Sequence, residues 1–206
     1  MAKILKYAFR ITHIDNIPFI LEKGLLRANS SNRSDDFVNI GDPQVIKLRT
    51  DMVIRNIRLG DYIPFYLGPR SPMLYVIQHG YNGVRRQEPQ DIVYCVLRLD
   101  DVIKGNLECA FTDGHALSAL TNYYGKEQLV NIDKIVNYDD VYASQWNNND
   151  SDIDLKRRKE AELLIKEDIS PEYIRGYIVY NDKAKEMLKS FGIAENMIVV
   201  ASNYYF

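Results

Sequence analysis

Two glutamates that follow a basic run have the residue type and spacing for chemistry at a sugar. Lys156-Arg-Arg-Lys159 leads into Glu160-Ala-Glu-Leu-Leu-Ile165, and strand alternation would put Glu160 and Glu162 on one face. A carboxylate there can hold a ribose hydroxyl and stabilise positive charge that develops at the anomeric carbon. The alternative is a solvated helix edge on which Lys156 and Glu160 pair four residues apart.

A second segment, residues 60–75, combines aromatic rings with one arginine and three prolines. Each proline fixes its own φ angle and restricts the residue before it. Rigid rings beside a guanidinium suit a flat, anionic ligand such as a nucleotide. The side chains held in this way would be Tyr62, Phe65, Tyr66, Arg70 and Tyr75. The alternative is that these rings only pack the core.

Two histidines fall between a predicted strand and a predicted helix. His13 follows residues 7–12, and His115 ends the sequence Phe111-Thr-Asp-Gly-His115. An imidazole at such a junction can meet a ligand, but a lone histidine is more often a satisfied structural group. Both interpretations stay open for each histidine.

The elements that must position these residues are mostly strands. Runs rich in Ile, Val, Tyr and Leu predict strands at 7–12, 91–99, 107–112, 161–166, 173–180 and 197–202. Helices are predicted after Asp15 as a cap, at 46–57, at 116–124, and at 182–190 before Gly192. Residues 29–36 and 146–152 are predicted to be polar loops. Strands without a regular strand-helix-strand rhythm favour an α+β domain.

Composition limits the class of protein. A chain of 206 residues with 46% hydrophobic residues predicts a single domain over residues 1–206. We find no membrane span and no signal peptide, so we expect a cytoplasmic protein. Cys95 and Cys109 lack metal-site spacing and predict buried, reduced thiols without a metal. A net charge of −2 argues against nonspecific coating of nucleic acid, and the common glycine-rich nucleotide motifs are missing from the sequence.

Four segments taken together resemble the DarT family, the DNA ADP-ribosyltransferase toxins of bacterial toxin–antitoxin pairs. They are residues 11–25, 60–75, 111–116 and 159–165, and they follow one another in the family's order. The resemblance implies an α+β ADP-ribosyltransferase fold, in which split mixed or antiparallel sheets with flanking helices clamp NAD+. It also implies that ADP-ribose passes from NAD+, without a metal, to a base in single-stranded DNA, with thymidine favoured over guanosine. The implied partner is a macrodomain antitoxin, and we expect a monomer.

The resemblance also assigns residues to the site. It implies that Glu162 is the catalytic glutamate, with Glu160 as the less favoured neighbour, and that Arg49 contacts NAD+ and assists at the reacting base. The implied NAD+ contacts are His13, Tyr62, Tyr66, Arg70, Met73 and Tyr75. The resemblance also places His115 near the base. Aromatic side chains beside basic residues can stack and steer a single strand, so we also expect DNA contacts at Arg85, Arg86, Arg157 and Arg158. We expect Glu162→Ala to abolish transfer and to spare the fold, because a carboxylate at a strand edge adds little to packing.

Two other functions remain open at this point. The Glu160-x-Glu162 spacing resembles the two-glutamate motif of ADP-ribosyltransferases that modify protein arginine. The chain could also be an inactive nucleotide- or DNA-binding module.

Overall fold

The computed structural model of this chain describes residues 3–206. The strands are β1 (Tyr7–His13), β2 (Val53–Ile54), β3 (Ile57–Arg58), β4 (Tyr62–Tyr66), β5 (Ile92–Arg98), β6 (Cys109–Thr112), β7 (Tyr123–Gly125), β8 (Glu162–Lys166), β9 (Gly176–Val179) and β10 (Ile198–Val200). The α-helices are α1 (Ile17–Lys23), α2 (Pro43–Asp51), α3 (Pro72–His79), α4 (Leu99–Lys104), α5 (Ile132–Ile135), α6 (Tyr138–Val141), α7 (Leu155–Lys159) and α8 (Asp182–Ser190). Short 3-10 turns connect several of them.

Eight of the strands form one mixed sheet in the order β10-β9-β5-β1-β4-β8-β6-β7. Only the β10–β9 pair is parallel within it, and its other neighbours are antiparallel. Strands β2 and β3 make a separate small hairpin. The architecture is therefore the α+β arrangement that the sequence predicts.

The large sheet is split in the middle. Strand β1 pairs with β5 along its whole length, but it pairs with β4 only at Phe9 and Tyr66. Beyond that point the two strands diverge, and Arg10 Nη1 spans the gap by donating to the Pro64 carbonyl at 3.0 Å. The sheet thus consists of two four-stranded halves that open into a cleft, which agrees with the predicted split sheets.

Apolar side chains pack on both faces of the sheet. The larger cluster brings β5, β8 and β9 against α1, α4 and α8, and the second lies under α3 around Phe9, Leu74 and Tyr94. Helix α3 begins at Pro72, and the Ser71 side chain caps it by accepting from the backbone N–H of Leu74 at 3.2 Å. The core therefore holds α3 rigidly against the half of the sheet that contains β1.

Most predicted strands are confirmed, and so is the last helix. Asn181 caps α8 by accepting from the Ala184 N–H at 3.0 Å. Cys95 and Cys109 are buried free thiols, as predicted. Residues 29–36 form turns and coil. Among residues 3–206, none of the helices combines the length and the apolar character that crossing a membrane requires.

Three helix predictions need correction. Asp15 does not cap α1, because it lies in a 3-10 turn that precedes the helix. The helix predicted at 46–57 ends at Asp51, since Arg55 and Asn56 take positive φ angles and form the β2–β3 hairpin. The helix predicted at 116–124 is absent, because its last residues form β7 and pair with β6 instead.

Candidate active site

A bidentate ion pair between Arg49 and Glu162 lies in the cleft. Arg49 Nη2 and Nη1 donate to Oε2 and Oε1 of Glu162 at 2.8 and 3.2 Å. The Glu162 side chain is 2% exposed and that of Arg49 is 14% exposed. Two side chains that are 113 residues apart in sequence therefore meet as a nearly dry charge pair.

Backbone contacts orient the Glu162 carboxylate from the other side. Its Oε1 also accepts from the backbone N–H of Ala116 at 3.1 Å. The Glu162 N–H donates to Thr112 Oγ1 at 3.0 Å, and that hydroxyl donates to the Gly114 carbonyl at 2.7 Å. Glu162 opens β8, which lies between β4 and β6 in the sheet. It is therefore an interior residue, and the predicted strand-edge position is wrong.

The short helix α2 brings Arg49 to this carboxylate. Asp42 caps α2 by accepting from the N–H groups of Gln44 and Val45, and Arg49 lies in the last turn. Burial opposes ionisation of both partners, but the neighbouring opposite charge prevails: the pKa of Glu162 is lowered and that of Arg49 is raised. Both groups are charged at neutral pH.

The cleft beside the ion pair is lined by both halves of the sheet and by helices α2 and α3. Its walls are Arg10, Ile11 and Thr12 of β1, Pro64, Phe65 and Tyr66 of β4, Met73 and Ile77 of α3, Val45, Ile46 and Arg49 of α2, the loop residues 37–42, and Glu162. Burial, together with the charges of Glu160 and Glu162, raises the pKa of Tyr66 and keeps its phenol neutral. The cleft thus combines an apolar wall with the paired charges of Arg49 and Glu162 and with further charged side chains, Arg10 and Asp42, along its lining.

A basic pocket adjoins the cleft at Arg10 and Arg49 and also contains Arg27 and Arg33. Burial and the charges of Arg33 and Arg49 lower the pKa of Arg10 to about 10, although the neighbouring Cys95 opposes this shift. Arg27 Nη1 pairs with Glu167 Oε2 at 2.7 Å, and within residues 3–206 its buried Nε has no hydrogen-bond partner and lies 3.9 Å from Asp168 Oδ1. A pocket with this much positive charge can hold a phosphate group.

Of the residues predicted to bind NAD+, Tyr66 and Met73 line the cleft, and Tyr62 lines the basic pocket. The other three lie elsewhere. His13 accepts a hydrogen bond from the Asp15 N–H at 3.2 Å, which is the structural role that the sequence left open. Arg70 lies over the ring of Phe206, and Tyr75 packs against His79 and Trp146. These three side chains are not among those that line the cleft.

His115 lies close enough to the ion pair to interact with it. The pKa of His115 is lowered overall. Burial is the main cause, the charges of Arg49 and Lys156 act in the same direction, and the charge of Glu162 opposes them. Its imidazole is therefore neutral at pH 7. Its backbone N–H donates to the Arg157 carbonyl at 2.9 Å, which anchors the turn that also presents the N–H of Ala116.

The structure does not favour Arg157 and Arg158 as phosphate contacts. Arg157 pairs with Asp113 and Asp154, and Arg158 pairs with Asp140, Asp152 and Asp154. Neighbouring carboxylates and two from other segments, Asp113 and Asp140, already pair with these guanidinium groups, so the predicted role in DNA binding stays a prediction that requires these ion pairs to open.

Arg85 and Arg86 remain on the surface beyond α3. Both are exposed, and Arg86 pairs with Glu88 at 3.2 Å. Exposed pairs of this kind are weak and exchange easily for another anion.

The predicted alternation of Glu160 and Glu162 on one strand is wrong. Residues 155–159 form α7, Glu160 is the residue that follows it, and β8 begins at Glu162. Burial first, and then the charge of Glu162, raises the pKa of Glu160 to about 7. The basic run is therefore helical, as in the alternative interpretation, but it is not a solvated edge, because Lys159 is buried and Glu160 is half-buried beside the ion pair.

Sequence reasoning missed Lys159 and Arg10. Lys159 is 1% exposed, and its Nζ donates to the carbonyls of Pro69 at 2.8 Å and Val141 at 2.6 Å. It joins the end of α7 to the segment after β4. Arg10 had a detectable signal, since a charged residue interrupts the apolar strand β1. The basic run around Lys159 gave none, because such a run usually predicts a solvated surface.

Within the part of the chain that the structure describes, no group of three or more His, Cys, Asp or Glu side chains is placed to hold a metal ion.

Comparison with known proteins gives one consistent result. The family model described as "ssDNA thymidine ADP-ribosyltransferase, DarT" matches residues 9–206. A DNA ADP-ribosyl transferase of Escherichia coli O127:H6 is 32% identical over 204 residues, which cover 96% of this chain and 92% of that protein. A DNA ADP-ribosyl transferase–DNA ADP-ribosyl glycohydrolase fusion protein of Thermosipho africanus is 29% identical over 96% of this chain and 48% of its own length.

Two structures of the Thermus sp. 2.9 protein DarT share the fold. The complex with ADP-ribosylated ssDNA superimposes with a TM-score of 0.82 and 27% identity, over 98% of this chain and 97% of that one. The complex with NAD+ gives a TM-score of 0.77 and 27% identity over the full length of both chains.

Proposed function

This chain belongs to the DarT family of ssDNA thymidine ADP-ribosyltransferases, and from that premise we propose that it transfers ADP-ribose from NAD+ to thymidine in single-stranded DNA. The observation that supports the proposal most directly is the buried Arg49–Glu162 pair at the opening of the split sheet. The pair offers one anion and one cation, the two charges that the glycosyl transfer proposed here requires.

The cleft and the basic pocket together match the parts of NAD+. The apolar wall formed by Met73 and Ile77 suits a flat ring, and the pocket of Arg10 and Arg33 suits the pyrophosphate. The nicotinamide ribose then lies beside Glu162. NAD+ is consumed here as a substrate and is not a resident cofactor.

Glu162 acts on the sugar as the glycosidic bond breaks. The electron pair of that bond goes to the nicotinamide nitrogen, and positive charge spreads over the ribose anomeric carbon and ring oxygen. The Glu162 carboxylate stabilises this charge electrostatically. The N–H of Ala116 and the guanidinium of Arg49 already fix the carboxylate, so it needs no reorganisation during the reaction.

Arg49 acts on the base that attacks. Thymine N3 forms the new bond to the anomeric carbon and must lose its proton, which leaves negative charge on the pyrimidine as the proton departs. The Arg49 guanidinium stabilises that charge and cannot itself accept the proton. His115, which burial holds neutral, can accept it.

A protein partner follows from the fused relative. In Thermosipho africanus the transferase is joined to a DNA ADP-ribosyl glycohydrolase. We propose that a separate macrodomain protein of that activity reverses the modification made by this chain and acts as its antitoxin. The monomeric state expected from the sequence remains a prediction.

The test is transfer of label from NAD+. We would incubate the protein with labelled NAD+ and single-stranded oligonucleotides that contain or lack thymidine, the same sequences as duplexes, and total cell protein. The proposal predicts label only on single strands with thymidine, and none with Glu162→Gln. Label on protein would instead support arginine modification through Glu160 and Glu162, and binding without transfer would support an inactive module.

A further inference from the structure

Four aromatic side chains form a continuous surface outside the cleft, which we call the aromatic platform. They are Tyr75, His79, Tyr81 and Trp146. The ring centroids of Tyr75, His79 and Tyr81 form a triangle, with His79 4.0 Å from Tyr75 and 5.4 Å from Tyr81 and the two tyrosines 5.7 Å apart; the His79 ring is nearly parallel to that of Tyr81, at 12°. Trp146 meets Tyr75 edge-on at 5.9 Å.

Two rings of the platform are exposed, those of Tyr75 and Trp146 are partly buried, and cations lie at its border. Tyr81 is 49% exposed and His79 is exposed as well. Lys156 Nζ lies 6.0 Å from the centre of the Trp146 ring, and the exposed Arg85 and Arg86 follow Tyr81 along the chain. Apolar ring faces bordered by cations are complementary to a chain of bases joined by phosphates.

Two elements connect the platform with the catalytic cleft. Met73 and Ile77 of helix α3 line the cleft. Tyr75 and His79 follow them by two residues each and therefore lie on the opposite side of the helix. Asn148 Oδ1 accepts from the Lys156 N–H at 2.9 Å, which fixes the loop of Trp146 to α7. Lys156 precedes Glu162 by six residues, so the two Cα atoms are at most about 20 Å apart.

We propose that the aromatic platform stacks a base that flanks the modified thymidine, while Lys156 contacts the adjoining phosphate. The inference rests on the proposed function, and it adds where the DNA strand runs after it leaves the cleft. Stacking on side chains needs bases whose faces are free, which a single strand offers and a paired, stacked duplex does not. The platform thereby contributes to the choice of single-stranded substrate.

The test compares Trp146→Ala and Tyr81→Ala with Tyr7→Ala, a matched control on an exposed aromatic residue of β1 that lies outside both the cleft lining and the platform. Transfer to a thymidine oligonucleotide is measured at saturating NAD+, and NAD+ affinity is measured without DNA. Loss of base stacking predicts a rise of about 5- to 140-fold in KM for the oligonucleotide. NAD+ affinity and the thermal midpoint should match those of the control.

Oligonucleotides with one abasic position on either side of the thymidine locate the stacked base. Wild-type protein should lose affinity when one particular flanking base is missing, and Trp146→Ala should be insensitive to the same deletion. Lys156→Gln, at an exposed side chain, should reduce the salt dependence of DNA binding by about 0.7 in log–log slope.

The inference is overturned if both platform variants keep the oligonucleotide KM of the Tyr7→Ala control, or if no flanking base matters to wild-type protein. It is equally overturned if Trp146→Ala weakens NAD+ as much as DNA, because the rings would then belong to the nucleotide pocket. An absence of transfer to any oligonucleotide by wild-type protein would instead contradict the proposed function itself.

Discussion

Removing the Glu162 carboxylate should destabilise the protein as well as inactivate it. Glu162→Ala leaves the guanidinium of Arg49, which is only 14% exposed, without its partner, and it also frees the Ala116 N–H that Glu162 accepts from at 3.1 Å. Breaking a buried pair from one side costs about 3–5 kcal/mol. For a chain of this length each kcal/mol lowers the thermal midpoint by about 2–4 °C, so we expect a fall of roughly 6–20 °C. This replaces the sequence-based expectation that the variant spares the fold.

A double-mutant cycle measures the same effect. Urea unfolding at pH 7 would be compared for wild type, Glu162→Ala, Arg49→Met and the variant that carries both changes. Because the double variant contains no unpaired buried charge, it should recover much of the lost free energy. Glu162→Gln is the milder control, since its amide oxygen still accepts from Ala116. The reasoning is refuted if Glu162→Ala unfolds like wild type, or if the losses of the two single variants simply add.

Three further predictions concern the surroundings of the pair. Burial, with the charge of Arg70, lowers the pKa of Lys159 from 10.5 to about 7, so between these pH values the unfolded chain binds more protons than the folded protein. In urea unfolding from pH 7 to 10.5, the free energy of unfolding of wild type should therefore rise by about 1.4 kcal/mol per pH unit relative to that of Lys159→Met. A difference between the two proteins that does not change with pH would contradict this. The rate of transfer should increase as pH rises through about 7, because burial and the charge of Glu162 raise the pKa of Glu160 to that value and the Glu160 anion adds to the stabilisation of the cationic sugar. Glu160→Gln should therefore flatten the pH profile of kcat/KM. An unchanged inflection in this variant would exclude Glu160 as the group that titrates. Gly68→Ala would place a Cβ 1.9 Å from the Val141 carbonyl oxygen, so its thermal midpoint should fall sharply, and a midpoint equal to that of wild type would show that the segment after β4 is free to move.

The sequence was sufficient for the elements that have strong local signals. Runs rich in Ile, Val, Tyr and Leu identified β5 and β8, and Asn181 and Gly192 bounded α8. The resemblance to a known family selected Arg49 and Glu162, and the structure brings this pair together. No local pattern joins two residues so far apart.

Other features depend on tertiary contacts that the sequence does not reveal. The split of the sheet arises because β1 and β4 share a single register pair, and register is not encoded in either strand alone. Residues 116–124 have moderate helix propensity, but pairing of β7 with β6 overrides it. No local pattern predicts that Arg157 pairs with Asp113 or that Arg158 pairs with Asp140, because these partners lie 44 and 18 residues away in sequence.

A crystal structure of the Glu162→Gln variant with NAD+ and a thymidine oligonucleotide tests the central claim most directly. The account predicts that the anomeric carbon of the nicotinamide ribose lies between the side chain of residue 162 and thymine N3, with the Arg49 guanidinium on the pyrimidine. A nicotinamide ribose bound away from both side chains, with the pair buried behind it, would contradict the account.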